Sequence, residues 1–147
     1  TEVIELLVND INSVDEYDPS LPDFCINKDL LIQILLNLLK NASEASFKNG
    51  KIKIKTSFNT NKIKSFQQNN IPTTLPLQIE IIDHGSGIPP NILPNIFDPF
   101  VSSKKNGKGL GLSIVASGLE EMGAVINVLS NHGTTTFCIN FPLNNKY

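Results

Sequence analysis

From Lys28 to Phe47 the chain reads KDLLIQILLNLLKNASEASF, and its Leu and Ile residues recur at the three- and four-residue intervals of a helix that buries one side. Gln33, Asn37, Asn41 and Glu44 follow one another at spacings of four, four and three, so a polar stripe runs along this otherwise core-forming helix. Asn27 stands where an N-cap belongs, and Lys48-Asn49-Gly50 reads as the stop. KIKIKTSF then alternates polar residues with Ile52, Ile54 and Phe58, the pattern of a strand with one solvated face. A second alternation, LQIEIID, sets Leu77, Ile79 and Ile81 on one face and delivers Asp83 to the glycine turn His84-Gly85-Ser86-Gly87. After Pro89-Pro90, Asn91 to Ile96 predicts a helical turn or two, and Leu112 to Met122 a helix that Gly123 stops. Ala124 to Ser130 and Thr134 to Phe141 pair most simply as an antiparallel hairpin around Asn131-His132-Gly133.

The remaining stretches carry weaker patterns. Val3, Ile4, Leu7, Val8 and Ile11 give residues 1–12 an amphipathic helical period without a cap, as expected of the end of a longer element with a domain upstream. Pro19 and Pro22 make Asp15 to Phe24 an extended connector. Asn59 to Pro76 turns polar and reads as a long loop or mobile hairpin, a tolerated surface insertion. The expected division is therefore 1–19 as upstream helix end and connector, 20–143 as one domain with its insertion at 59–76, and 144–147 as a tail.

Composition narrows the function classes. A chain of 147 residues with 40% hydrophobic side chains can bury one substantial core. A formal charge of −2 with 12 basic residues argues against a nucleic-acid surface. Cys25 and Cys138 lack metal-ligand spacing and fit free thiols in a reducing compartment. No run of about 18 apolar residues offers a membrane span, and Thr1 opens directly into a helical pattern without a signal peptide, so the fragment reads as cytoplasmic.

Candidate chemistry lies in three places. Buried amides need partners, so the Gln33-Asn37-Asn41-Glu44 stripe is either satisfied by neighbouring backbone or lines a ligand or metal site. Asp83, at a strand end, is placed to accept from an exocyclic amine, with Gly85 and Gly87 letting backbone approach a flat ring; the plainer alternative is an Asx turn. Gly107, Gly109 and Gly111 directly precede a helix, an arrangement that aims backbone N–H groups and the helix dipole at a phosphate, with Lys104, Lys105 and Lys108 adding charge. This is neither the Gly-Lys-Ser/Thr nucleotide loop, since no strand precedes it, nor the dinucleotide fingerprint, whose third glycine falls elsewhere. His84 and His132 lie in turns without a ligand-spaced neighbour and read as non-catalytic.

In order, NLLKNASEA, DHGSGIPP, IFDPFVSSK, GKGLGLSIV and GTTTF resemble the boxes and final strand of the sensor histidine kinase ATP-binding domain, over residues 20–143. EYDPSLPD and FDPFVSSK further resemble the nitrogen-regulation NtrB type. The resemblance implies an α+β Bergerat fold, a two-layer sandwich whose mixed sheet is covered on one face by three helices. It implies ATP and Mg²⁺ as cofactors, with Asn41 holding the metal and Asn37 completing its polar wall. Asp83 would accept from the adenine amine beside Gly85 and Gly87, supported by Thr135 or Thr136. Phe97 and Phe100 would anchor a lid, Lys104 would reach phosphate, and Gly107, Gly109, Leu110, Gly111 and Leu112 would close over the triphosphate. Related gyrase and chaperone ATPases carry a water-activating Glu where this chain has Asn37; an amide takes no proton at neutral pH, so the γ-phosphoryl group is expected to wait for a histidine on a dimerisation domain that this chain lacks. The implied partners are that domain and a response regulator, and the fragment itself is expected to be monomeric with little activity alone. The competing readings are an autonomous gyrase- or chaperone-type ATPase and a non-enzymatic nucleotide-sensing module.

Overall fold

The computed structural model describes residues 13–47, 50–59, 63–66, 72–99, 111–131 and 133–143. Strand β1 (Ser13–Glu16) leads to helix α1 (Lys28–Ala45), then β2 (Ile52–Phe58), a hairpin of β3 (Ile63–Phe66) and β4 (Pro72–Thr74), β5 (Leu77–Asp83), a 3-10 turn (Leu93–Asn95), α2 (Gly111–Glu121), β6 (Val125–Asn131) and β7 (Thr134–Phe141). The main sheet runs β1-β2-β5-β7-β6, and β3 pairs with β4 alone. β1 is parallel to β2 while the other neighbours are antiparallel, which makes the sheet mixed.

The alternation of each long strand decides which face is covered. Ile52 and Ile54 of β2, Leu77, Ile79 and Ile81 of β5, and Phe137, Ile139 and Phe141 of β7 are buried in one cluster with both helices. Helix α1 contributes Leu31, Ile34, Leu35, Leu38, Leu39 and Ala42. Truncating any of its buried leucines to Ala is expected to cost about 2–5 kcal/mol. Helix α2 adds Val115 and Leu119, with Met122 just past its end. The two helices approach closely at Gly118, where a Cβ would meet Leu30 Cδ1 at 3.0 Å and Ile34 Cδ1 at 3.1 Å.

The helix ends follow local chemistry. Asn27 Oδ1 accepts from Leu30 N–H at 3.1 Å, satisfying one of the free donors of the first turn of α1. Gly123, at φ +67°, closes α2: its N–H donates to Glu120 O and that of Ala124 to Leu119 O, the paired bonds of a Schellman end.

The described residues contain two α-helices and a 3-10 turn; the helix expected over residues 1–12 lies outside them. One expectation needs correcting: the extended connector predicted from Asp15 begins inside the sheet, since Ser13–Glu16 pairs with Ile52–Lys55. Asp18 extends that attachment: its backbone N–H donates to Thr56 Oγ1, and its carboxylate accepts from Phe58 N–H, Ser20 N–H and Ser20 Oγ–H. Those Ser20 and Phe58 donors hold the Asp18 carboxyl below its ordinary range. Within the polar insertion, β3 and β4 form a two-stranded ladder. Cys25 and Cys138 are free.

Candidate functional site

Strand β5 carries Asp83 to the sheet end on the same face as Ile79 and Ile81, opposite Thr135 of β7. Asp83 is only 2% exposed, and its Oδ1 has no hydrogen-bond partner among the described residues. Removal from water pushes its pKa from 3.8 up to about 6, with the charge of nearby His84 acting in the opposite direction. A buried carboxylate oxygen without a donor is costly, so this position is suited to accept a hydrogen bond from a ligand.

The turn after Asp83 is pressed against the end of α1. Phe47 N–H donates to His84 O at 3.1 Å, Gly85 bridges Ser46, and a Cβ on Gly85 would stand 2.0 Å from Ala45 O. Gly87 adopts φ +77°, and its Cβ would lie 2.9 Å from Asn131 O. The room expected at these glycines for a ring is taken up, on the Cβ side, by the chain itself. Both are required by internal packing. Beyond them, Ile88 N–H donates to Ser130 Oγ at 2.7 Å, and the Ser130 and Thr135 hydroxyls are 3.1 Å apart. Thr136, facing Ile82 across the ladder, falls on the opposite face, so of the two threonines only Thr135 shares the face of Asp83.

Helix α1 connects this end to the glycine segment. Asn37 is half-buried, and its Nδ2 donates to Gln33 O at 3.0 Å, so backbone satisfies part of the stripe. Its Oδ1 lies 3.5 Å from the Cβ position of Gly111, the first residue of α2. Asn41, one turn on, is half-buried; Gln33 and Glu44 are exposed. Because a helix rises about 1.5 Å per residue, the wall from Asn37 to Ala45 spans about 12 Å. Gly111, the first residue of α2, thus stands at one end of this wall, and the Asp83 turn at the other.

Leu112 and Phe97 are half-buried against the core. Lys104, Gly107, Gly109, Leu110, Phe100 and His132 lie outside the described residues. Among the described residues, no group of three His, Cys, Asp or Glu side chains could hold a metal. A hollow of about 360 Å³ lined by Leu30, Pro99, Ile114 and Gly118 includes none of the predicted site residues. Ser130, which no local sequence pattern singles out, is set opposite Thr135 by the pairing of β6 with β7.

The fold is that of histidine kinase catalytic domains. Residues 26–145 match the family described as histidine kinase-, DNA gyrase B-, and HSP90-like ATPase, and the chain belongs to that family. Among curated relatives it is 44% identical over 130 residues to the sensory histidine kinase/phosphatase NtrB of Rhodobacter capsulatus, covering 88% of this chain and 36% of that protein. The NtrB of Rhizobium meliloti is 40% identical over 130 residues, covering 87% of this chain and 34% of the relative. The chain therefore spans about a third of the length of these relatives. Of the solved structures, the nucleotide-free catalytic domain of histidine kinase ThkA superposes with a TM-score of 0.75 at 26% identity, covering 97% of this chain and 92% of that one. Full-length ShkA in complex with AMPPNP gives 0.73 at 25% identity, covering 99% of this chain and 29% of that one.

Proposed function

We propose that this chain is the Mg-ATP-binding catalytic domain of a two-component sensor histidine kinase of the nitrogen-regulation type, working in the cytoplasm and passing the γ-phosphoryl group to a histidine on a separate dimerisation domain. A response regulator then receives the group. The observation that carries the reading is Asp83, buried at the end of a wall of amides with an oxygen that has no partner among the described residues.

The residues present suit the ligand. Asp83 offers a desolvated acceptor for the exocyclic amine of adenine, with Thr135 beside it on the next strand. Asn41 offers an amide oxygen, and Mg²⁺ is commonly held by a few protein oxygens together with phosphates and water, so a protein cage is not needed. Mg-ATP supplies the transferable phosphoryl group and a metal that offsets phosphate charge. Helix α2, which begins at Gly111, would turn its N-terminal end toward the phosphate oxygens. Asn37, with Nδ2 tied to Gln33 O, has no basic atom with which to activate water, so the site holds ATP for an incoming nucleophile. Lys104, Gly107, Gly109 and Leu110 complete the proposed phosphate side.

The decisive experiment adds the histidine-bearing dimerisation domain in trans with labelled ATP. Acid-labile phosphorylation of that domain, with slow phosphate release by the chain alone, is expected. Rapid release by the chain alone would indicate an autonomous hydrolase, and nucleotide binding without transfer a sensing module.

A further inference from the structure

The segment EYDPSLPD takes no part in the proposed nucleotide site, yet it is tied to the sheet at several points. β1, which leads into it, has little of its own to fix its place: four residues, one half-buried and three exposed, at the sheet edge. A strand without a buried face has a weakly specified register. The ion pair of Glu16 with Lys53, 2.7 Å long but open to solvent, adds little. Tyr17 and Leu21 rest against the core, contacts that are non-directional and hold depth rather than register. Asp18, two residues past β1, is directional. Its backbone N–H donates to Thr56 Oγ1 at 3.1 Å, and its Oδ2 accepts from Phe58 N–H at 2.9 Å, so a side chain continues the edge of β2 where β1 has ended. Its Oδ1 accepts from Ser20 N–H at 2.8 Å and from Ser20 Oγ–H at 2.6 Å, which fixes the carboxylate across Pro19.

We infer that Asp18 is a positioning residue for phosphoryl transfer: by locking the register of β1 it sets the point at which a histidine domain joined upstream meets the catalytic domain. The inference rests on the histidine kinase reading and on the upstream domain expected from the helical period of residues 1–12. A slip of two residues would keep every β1 side chain on its own face and move the arriving chain by about 7 Å. Reacting atoms must approach to about 3–3.5 Å, and a misplacement of about 1 Å costs about 100-fold in rate. A slipped β1 would therefore carry a joined histidine away from the γ-phosphoryl group, whereas a histidine domain arriving in trans does not pass through that strand. Asp18 acts at a distance from the nucleotide. It stands by Phe58, which faces Leu77 at the start of β5, and Asp83 lies at the other end of that strand, about 20 Å along it.

The test compares two arrangements of the 147-residue chain, one with the histidine-bearing dimerisation domain joined ahead of Thr1 and one with that domain added in trans. Parent, Asp18→Ala and Asp18→Asn are each followed by acid-labile phosphorylation from labelled ATP and by calorimetric ATP affinity. Asp18→Ala is expected to lower the joined rate about tenfold or more, while ATP affinity and the in-trans rate stay within about twofold of the parent. Asp18→Asn keeps the shape of the side chain but replaces one accepting oxygen with a donor, so its joined rate is expected to fall in the same direction; it decides the matter if Asp18→Ala does not fold. Amide exchange reads the latch itself: the Phe58 N–H is expected to be protected in the parent and to exchange faster in either variant. Unchanged exchange there, or an equal loss of rate in both arrangements, would leave Asp18 a structural residue only and overturn the inference. If the parent transfers in both arrangements and the variants match it, the inference fails and the kinase reading stands. If the parent transfers in neither, the kinase reading fails and this inference with it.

Discussion

The two ends of the wall along α1 are built differently. At the Asp83 end every approach is fixed by packing: Gly85 touches the last turn of α1, Gly87 the end of β6, and Ser130 holds Ile88. At the Asn37 end the described residues show a side-chain bond back to Gln33 and space for a Cβ on Gly111, 3.5 Å from Asn37 Oδ1. The difference separates recognition from accommodation. A flat ring with a fixed pattern of donors and acceptors is best met by groups held in place before it arrives, whereas a triphosphate can be met by a helix terminus and amides.

Changes at the rigid end are expected to have the largest effects. Asp83→Asn removes a charged acceptor and is expected to lower ATP affinity about 10- to 100-fold by calorimetry. The same change should stabilise the nucleotide-free fold at pH 7.5. The folded-state pKa of Asp83 is raised, so between pH 4 and 6 the native state binds more protons than the unfolded chain, and stability falls as pH rises through that window. The penalty is complete above about pH 6 and is worth up to about 3 kcal/mol, so the variant's advantage in melting temperature should vanish near pH 4. Equal melting temperatures at pH 7.5 would show that the carboxylate is not strained.

Gly85→Ala comes next. A Cβ placed 2.0 Å from a backbone oxygen forces the β5 tip away from α1, at an expected cost of about 1–3 kcal/mol in denaturant unfolding. An unchanged midpoint would mean that this end is not rigid. Toward the other end, Asn41→Asp sets a carboxylate near the phosphates and is expected to weaken Mg-ATP binding about threefold to tenfold, roughly 1 kcal/mol. Unchanged affinity in Mg²⁺ would remove Asn41 from the metal. The smallest effect is expected at Gly118→Ala, where the neighbours are flexible methyl ends and the gain in helix propensity offsets the crowding, leaving a change under about 1 kcal/mol in the same unfolding assay.

What the sequence revealed follows the same division. The β5 strand and its terminal Asp83 are legible because strict alternation runs into a glycine turn, and α1 with its Asn27 cap because periodicity and capping agree. β1 was not legible: SVDE has no buried alternation, and only its parallel pairing with β2, formed across the whole of α1, makes it a strand. The close contacts of Gly85 and Gly87 were not legible, since they are made with residues 45 and 131, distant in sequence. Ser130 went unread because a hydroxyl at the end of a strand carries no local signal until the register sets it against Thr135.

The central claim is that Asp83, as a carboxylate, receives the purine, and ATP titrations of the parent and Asp83→Asn from pH 5 to 8 test it most directly. Taking the variant as the reference cancels the titration of the phosphates themselves. The parent is predicted to lose affinity relative to the variant as pH falls below about 6, approaching tenfold per pH unit, because only the ionised acid is the full acceptor. A parent-to-variant ratio that stays flat across that range would contradict the assignment.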